Sequence, residues 1–551
     1  MTQYEKLGSA PVSPLARSAG VRTRDGITLA TDVYLPRPDS GPGDTILIRL
    51  PYDKSGTYTF IPQIARYFMD YGYRVVAQDV RGKFRSGGDA LLFVNEVHDG
   101  EDTLDWIIHQ PWSNGRVAMW GDSYYGYTQW AAAASGHPAL KAIAPRLTGT
   151  GLGEPVRITP GTRVCGVEWA VTYVYPLTHF HGNDSYLWEP DWSRRDFAAQ
   201  AEEFMAETGR SISYDQWSPN AVRLPRFPGG SPFAGRSVPA LHTIGWWDNC
   251  APFSWADVAE IEKRPNWAAH HYLRIESIDH EGYQLLESPE DRVAERSDEQ
   301  ILALLPRALD PALDFFEVFV RGQGKPNDVP RVAWNLAGTD EWKYDDVWPP
   351  PSAGPQSLHG TSDGRLVPEP TAEERALTWV HDPNDLVPSS VDDAFSYLLH
   401  LPDEAPIGER ADVLVFTSAP FTADIDLAGP VSAAVRVQST GPVLDCFVRL
   451  LDVAADGTAR RIARGQQQLH DAQLAETLEI DLGQVGYRLQ AGHRLRLHIS
   501  SSDYPEFLPQ PGTGAHPWSG GEETVSNTQT VFVGGPEGLR LLLPVLNGAV
   551  A

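Results

Sequence analysis

Residues Val117 to Gly126 read VAMWGDSYYG: an apolar run halts at a glycine, an acid and a serine, and a small-residue helix pattern follows. This is the pattern of a nucleophile elbow. There the chain leaves a buried parallel strand and enters a helix so abruptly that one side chain, here Ser123, stands above the sheet edge on a strained backbone. Crowding at such a turn demands small neighbours, which Gly121 and Gly126 supply. The helix expected over Tyr124 to Ser135 carries Ala131 to Ala134, packs closely on the sheet, and directs its N-terminal N–H groups at Ser123, where they favour an anion. GDSYYG departs from the common GxSxG, because Tyr125 takes the second glycine's place and the glycine follows one residue later. Asp122 as the nucleophile would put Trp120 where a small residue is required, so that register is set aside.

The flanking sequence alternates strand and helix patterns. Val21 to Leu35 alternates apolar and polar residues around Asp25 and Gly26, the mark of an antiparallel edge hairpin. Thr45 to Leu50 is a denser apolar strand running into PYDKSG, which contains Tyr52. Ile61 to Asp70 has helical spacing, Tyr73 to Gln78 is a strand ending in DVRGKFRSGG, Asp102 to His109 is helical, and Lys141 to Ala144 is a short strand. This alternation predicts an α/β fold with a mostly parallel sheet covered on both faces, whose sites lie at the strands' C-terminal ends.

From Gly151 to about Arg236 the alternation stops. The segment is rich in aromatic residues, includes a helical stretch at Arg194 to Thr208, and lies where an insertion would cap the sheet's C-terminal edge. Most of its aromatics are expected to form the cap's own core; Trp169 is the one assigned to the pocket. The sheet resumes at Pro239 to Gly245, followed by WWDNC, and at Tyr272 to Ile278, followed by DHEG. Asp248 and His280 therefore sit just past two strand ends. With Ser123 they stand in the order nucleophile, acid, base, which is that of the α/β-hydrolases. His270 and His271 lie at the wrong end of their strand, and His242 lies inside one. Asp279 adjoins His280, and neighbours on an extended chain point to opposite sides.

Beyond Pro306 a helix is expected over Ala312 to Val320, then a strand over Val332 to Leu336 and a boundary at prolines 349 to 351. The remainder is all-β in texture. Val431, Ala433, Val435 and Val437 alternate with other residues, as do Leu495, Leu497 and Ile499, and Asp456 with Gly457 marks a hairpin turn. Short strands with Gly, Pro and Asp turns predict a jelly-roll sandwich.

At 551 residues the chain needs several cores. Its net charge of −27, with no basic patch, argues against nucleic acid as a partner. Three widely spaced cysteines, Cys165, Cys250 and Cys446, form neither a disulfide framework nor a CxxC pair, which favours a reducing cytoplasm. The N-terminus lacks an apolar signal core and no segment is a long uncharged apolar run, so neither secretion nor a membrane is expected.

PYDKSG at Pro51, DVRGKFRSGG at Asp79, GDSYYG at Gly121, GWWDN at Gly245, GTDEW at Gly338 and GHRLRLHISSSDYPEF from Gly492 together resemble the CocE/NonD family of serine hydrolases, the cocaine esterase-like enzymes related to the Xaa-Pro dipeptidyl-peptidases. The resemblance implies an α/β-hydrolase core over 1–150 and 237–350, an inserted helical cap over 151–236, and a C-terminal β jelly-roll domain over 351–551. It also implies Ser123 as nucleophile, His280 as base, Asp248 as its orienting acid, and an oxyanion hole from the Tyr52 hydroxyl and the Tyr124 backbone N–H. DHEG replaces the more usual approach to the histidine. In amino acid ester hydrolases of the family, acidic residues shortly after the triad aspartate bind the substrate's ammonium group. Here Asn249, Cys250 and Ala251 follow Asp248, so α-amino esters are disfavoured, while the aromatic cap and Trp246 favour a hydrophobic or aromatic acyl group. The expected chemistry is acyl transfer from a small-molecule ester to water, with no metal and no cofactor. Amide cleavage, or transfer to a substrate hydroxyl, uses the same groups. The β domain is expected to pack on core and cap, closing the site, or to support a homodimer. A carbohydrate-binding module on an inert hydrolase is the non-enzymatic reading, and the presence of all three triad residue types opposes it.

Overall fold

The structure, a computed structural model, describes residues 3–36, 41–154, 157–159, 163–217, 224–281, 297–398 and 400–550. Its first layer is a 10-stranded sheet. In chain order the strands are β1 (Ala16–Arg22), β2 (Thr28–Tyr34), β3 (Gly43–Leu50), β4 (Arg74–Asp79), β5 (Ser113–Asp122), β6 (Leu140–Arg146), β7 (Ala240–Gly245), β8 (His271–Glu276), β9 (Val332–Asn335) and β10 (Trp342–Asp345). They lie side by side as β10-β9-β8-β7-β6-β5-β3-β4-β2-β1. Everything from β4 to β9 pairs in parallel, and the antiparallel strands β1, β2 and β10 sit at the margins. The hairpin at Asp25 and Gly26 is there, with β1 on the edge and β2 one place in.

Helices cover both faces because the central strands are buried on both. Helix α1 (Ile61–Asp70) buries Ile61, Ile64, Ala65 and Phe68, the i, i+3, i+4, i+7 stripe that made it legible. Phe68 meets Trp120 of β5 edge to face at 6.0 Å. Each such fully buried side chain contributes about 1.5–3 kcal/mol. Helix α2 spans Glu96–Ile108, one turn and more longer than the expected Asp102 to His109; its first turn holds Glu96 and Asp99 with Val97 as its one apolar residue, which hid its start. Helix α3 (Ser123–Ala134) follows β5 with no intervening loop.

Residues between β6 and β7 include helices α4 (Ala170–Thr178) and α5 (Phe197–Thr208), with a core of their own around Phe197, Phe204 and Trp188. After β7 comes α6 (Ala251–Glu262). Helix α7 runs over Asp298–Phe319, passing through Pro306 and Pro311, so the expected helix at Ala312 to Val320 is only its second half. A capping box at Ser297 and Gln300 starts it, and its buried stripe from Ile301 to Phe316 packs on the sheet, which outweighs the two missing N–H donors.

The C-terminal domain is all-β, an 11-stranded sheet system folded around a single large core. Its strands are mostly antiparallel; Arg365–Val367 and Leu414–Ser418 pair in parallel. The turn at Asp456 and Gly457 joins Val443–Val453 to Ala459–His470. This domain touches both other parts. Ala337 N–H donates to Gly486 at 2.8 Å beside β9, and Leu508 N–H donates to Glu168 at 2.8 Å beside α4. Among the described residues no helix is long and apolar enough to cross a membrane.

Candidate active site

The β5–α3 junction is strained as the sequence predicts. Ser123 has φ 52°, a left-handed conformation rare for a side chain with a Cβ. Gly121 has φ 152°, and a Cβ there would lie 2.1 Å from Cδ2 of Tyr125. At Gly126 a Cβ would approach Thr148 Cγ2 to 2.6 Å, so both glycines are needed for close packing.

Four strand ends converge here. Tyr52 follows β3, Ser123 follows β5, Asp248 follows β7 and His280 follows β8. His280 Nε2 lies 2.9 Å from Ser123 Oγ. His280 Nδ1 lies 2.6 Å from Asp248 Oδ1, which also accepts the Cys250 N–H at 3.0 Å. This pairing leaves the Nδ1 proton on the aspartate side and Nε2 as the acceptor for serine. Burial pushes the His280 pKa down, but Cys250 and the Asp248 carboxylate beside it outweigh burial and hold it well above 6.5. Asp279, the sequence rival, is buried and accepts the Glu281 N–H at 3.1 Å. His242 and His271 pair with each other at 3.3 Å inside the sheet.

Tyr52 and Ser123 line the same cavity, and the Tyr52 hydroxyl lies 2.8 Å from the hydroxyl of Tyr175 on α4. Burial raises its pKa, so it stays a phenol donor. Tyr124 is the second residue of α3. Its ring stacks on Phe93 at 4.9 Å and its hydroxyl donates to Glu96 at 2.9 Å, and Glu96 forms a buried ion pair with Arg49 at 2.8 Å. That anchorage fixes the first turn of α3 against the sheet. Asp122 faces Arg146 at 3.5 Å, which gives its carboxylate a structural partner.

Above Ser123 opens a cavity of about 690 Å³. Its walls include Trp169, Tyr175, Phe253, Phe395 and Tyr397, so the lining is largely aromatic. Trp169, expected at the pocket, is in its wall, braced edge to face by Phe253 and Phe507. Trp246 is a correction. It does not line this cavity; its indole N–H donates to the Asn335 carbonyl at 2.9 Å and its ring packs on Trp348 at 5.5 Å. The turn after β7 sends it towards β9 and the β domain, while Asp248 turns to the site.

Sequence reasoning missed several wall residues. Tyr175 comes from α4, and Asp393, Phe395 and Tyr397 come from the β domain, none with a periodicity or motif that announces it. It also expected no carboxylate cluster. None follows Asp248, but Glu189 and Asp393 reach the cavity wall from other segments, and burial together with Asp393 pushes Glu189 up to about 8.

Family models match most of this chain. Residues 25–280 match the X-Pro dipeptidyl-peptidase (S15 family) model, and residues 324–537 match the X-Pro dipeptidyl-peptidase C-terminal non-catalytic domain. The cocaine esterase of Rhodococcus sp. (strain MB1 Bresler) is 31% identical over 548 residues, covering 91% of this chain and 93% of that one. An α-amino acid ester hydrolase structure superposes with a TM-score of 0.77 at 22% identity, covering 99% of this chain and 97% of the other. An aminopeptidase from the marine sediment archaeon Thaumarchaeota archaeon gives a TM-score of 0.78 at 22% identity, with 98% of each chain covered. An α/β sheet with an all-β C-terminal domain, an elbow serine, and whole-length likeness to an esterase lead to one assignment: the chain belongs to the CocE/NonD family and is a serine hydrolase of carboxylic esters.

Proposed function

We propose that Ser123, His280 and Asp248 act as a catalytic triad that hydrolyses small esters with a hydrophobic or aromatic acyl group. The observation carrying this reading is the unbroken chain from Ser123 Oγ through His280 to Asp248, at 2.9 and 2.6 Å. His280 takes the Ser123 proton as the serine oxygen attacks the ester carbonyl, then returns it to the leaving alcohol. Asp248 holds the imidazole in the required tautomer and stabilises the imidazolium. The Tyr52 hydroxyl and the Tyr124 N–H receive the developing oxyanion, and a water activated by His280 releases the acid. Residues 151–236 work as a cap over the acyl site. The β domain, with jelly-roll connectivity, completes its wall through Phe395 and Tyr397. Trp169 and Phe253 supply the apolar surface that favours aromatic acyl groups.

A second reading has one observation behind it. The Glu189 and Asp393 pair in the cavity wall is suited to an amine, which favours an acylase or peptidase acting on a substrate with a free amino group. Comparing kcat/KM for phenylacetyl and phenylglycyl esters of one alcohol separates the two. The ester reading predicts the phenylacetyl ester at least equal, and a large preference for the amine would reverse it. Ser123→Ala tests the triad itself, with kcat expected to fall by about 10⁴-fold or more. Turnover within a few fold of wild type on every ester would remove the mechanism.

A further inference from the structure

We propose that Asp248, Cys250 and His280 form a binding site for a thiophilic divalent cation of the Zn²⁺ class, and that its occupation reversibly stops hydrolysis. A carboxylate oxygen, the thiol sulfur and an imidazole nitrogen of these residues all lie within 4.8 Å of one another. The Cys250 sulfur thus lies beside the imidazole. Asp248 Oδ1 is occupied by the Cys250 N–H and by His280, but Oδ2 is buried with no hydrogen-bond partner among the described residues. An orphaned carboxylate oxygen in a side chain that is 0% exposed is a lone pair held ready for a cation.

Sulfur, nitrogen and oxygen donors together select Zn²⁺-like ions over Mg²⁺ or Ca²⁺, which take oxygen alone. Tetrahedral bonds of about 2.0–2.3 Å hold neighbouring donors roughly 3–4 Å apart, so small side-chain rotations close this set on an ion. Three protein ligands leave a fourth position to solvent. The ion has a way in, because Cys250 and His280 both line the cavity. Cys165 and Cys446 are buried and do not line it, so a thiol-dependent response reports on Cys250.

The proton balance accounts for the inhibition, and this half rests on His280 being the base. On binding, the thiol proton passes to solvent and the imidazole proton moves from Nδ1 to Nε2. The thiolate, the carboxylate and Nδ1 then donate to the ion, two negative charges meeting its two positive ones. Nε2 now carries a hydrogen and donates to Ser123 Oγ, so it cannot accept the serine proton.

The test uses the full chain in two arms. In the first, Ser123→Ala, which needs no activity, is titrated with Co²⁺. A near-ultraviolet thiolate-to-cobalt charge-transfer band is expected, displaced by Zn²⁺ and absent from both Cys250→Ser and Cys250→Ala, the pair guarding against one variant failing to fold. In the second, hydrolysis of a 4-nitrophenyl ester falls with Zn²⁺ but not Mg²⁺, and a chelator restores it. The Zn²⁺ concentration that halves each enzyme's own metal-free rate rises by at least about 100-fold when Cys250 is replaced. No band at millimolar Co²⁺, or a band persisting in both Cys250 variants, overturns the site. A band with no loss of hydrolysis leaves the site and overturns the role given to His280.

Discussion

The hydroxyls of Tyr52 and Tyr175 lie 2.8 Å apart, one just past the end of β3 and the other on helix α4. The proposed oxyanion donor is thus oriented by a segment far from it in sequence. In that account Tyr175 orients the Tyr52 phenol through this bond. Tyr52→Phe removes the donor and is expected to lower kcat by about 100 to 1000-fold. Tyr175→Phe removes only the orienting bond, which at about 0.5–1.5 kcal/mol corresponds to a loss of roughly 2 to 10-fold. Steady-state kinetics should place the loss in kcat for both variants with KM little changed; equal losses would mean that Tyr175 acts directly.

His280 is held well above its ordinary 6.5 in the free enzyme, with Cys250 and Asp248 overcoming the opposing effect of burial. In the proposed mechanism only neutral imidazole accepts the serine proton, so activity should be lost as pH falls through that raised value and gained as pH rises through it. The acid limb of kcat/KM should therefore have its midpoint above pH 6.5. Asp248→Asn removes the favourable charge, so the midpoint should move down while the plateau falls steeply. A wild-type midpoint below 6, or a limb unmoved in the variant, would show that another group controls the profile.

Trp169 and Trp246 should respond in opposite ways. Trp169→Ala enlarges the cavity, so relative kcat/KM should shift towards bulkier acyl groups across a series of 4-nitrophenyl esters. Trp246 packs against Trp348 away from the cavity, and its replacement by Ala should lower stability instead. Full burial sets the upper limit at about 3–5 kcal/mol, and half-buried Trp246 should fall below it. Denaturant melts and the ester series together decide this. A changed acyl preference in the Trp246 variant at unchanged stability would return that residue to the pocket.

The buried ion pair of Arg49 and Glu96 lies under the elbow, 2.8 Å apart, with the Tyr124 hydroxyl on the same carboxylate. Glu96→Leu strands the guanidinium and frees Tyr124, and should cost about 3–5 kcal/mol in urea unfolding. A loss under 1 kcal/mol would mean that the site's floor does not depend on this pair.

Positions that depend on local pattern were legible in the sequence. The stripe Ile61, Ile64, Ala65, Phe68 placed α1 correctly, and the alternation of strands with helices placed the ends where Ser123, Asp248 and His280 meet. Roles that depend on long-range proximity were not legible. Tyr175 and Tyr397 carry no periodic signal pointing to the cavity, because α4 and the β domain bring them to it from segments far from Ser123 in sequence. Trp246 was misplaced because closeness to Asp248 in sequence does not survive the turn between them. Pro306 looked like a helix limit, yet the stripe of α7 continues past it, and the capping box at Ser297 was the overlooked local sign. Cys250 was weighed only against a disulfide framework and a CxxC pair, and its nearness to His280 belongs to tertiary structure.

Labelling with a fluorophosphonate tests the serine mechanism most directly. One equivalent should abolish ester hydrolysis, and peptide mapping by mass spectrometry should find the adduct on Ser123 alone, with no adduct in Ser123→Ala. Stoichiometric labelling of any other residue accompanied by loss of activity, or full turnover by a chain labelled on Ser123, would contradict it.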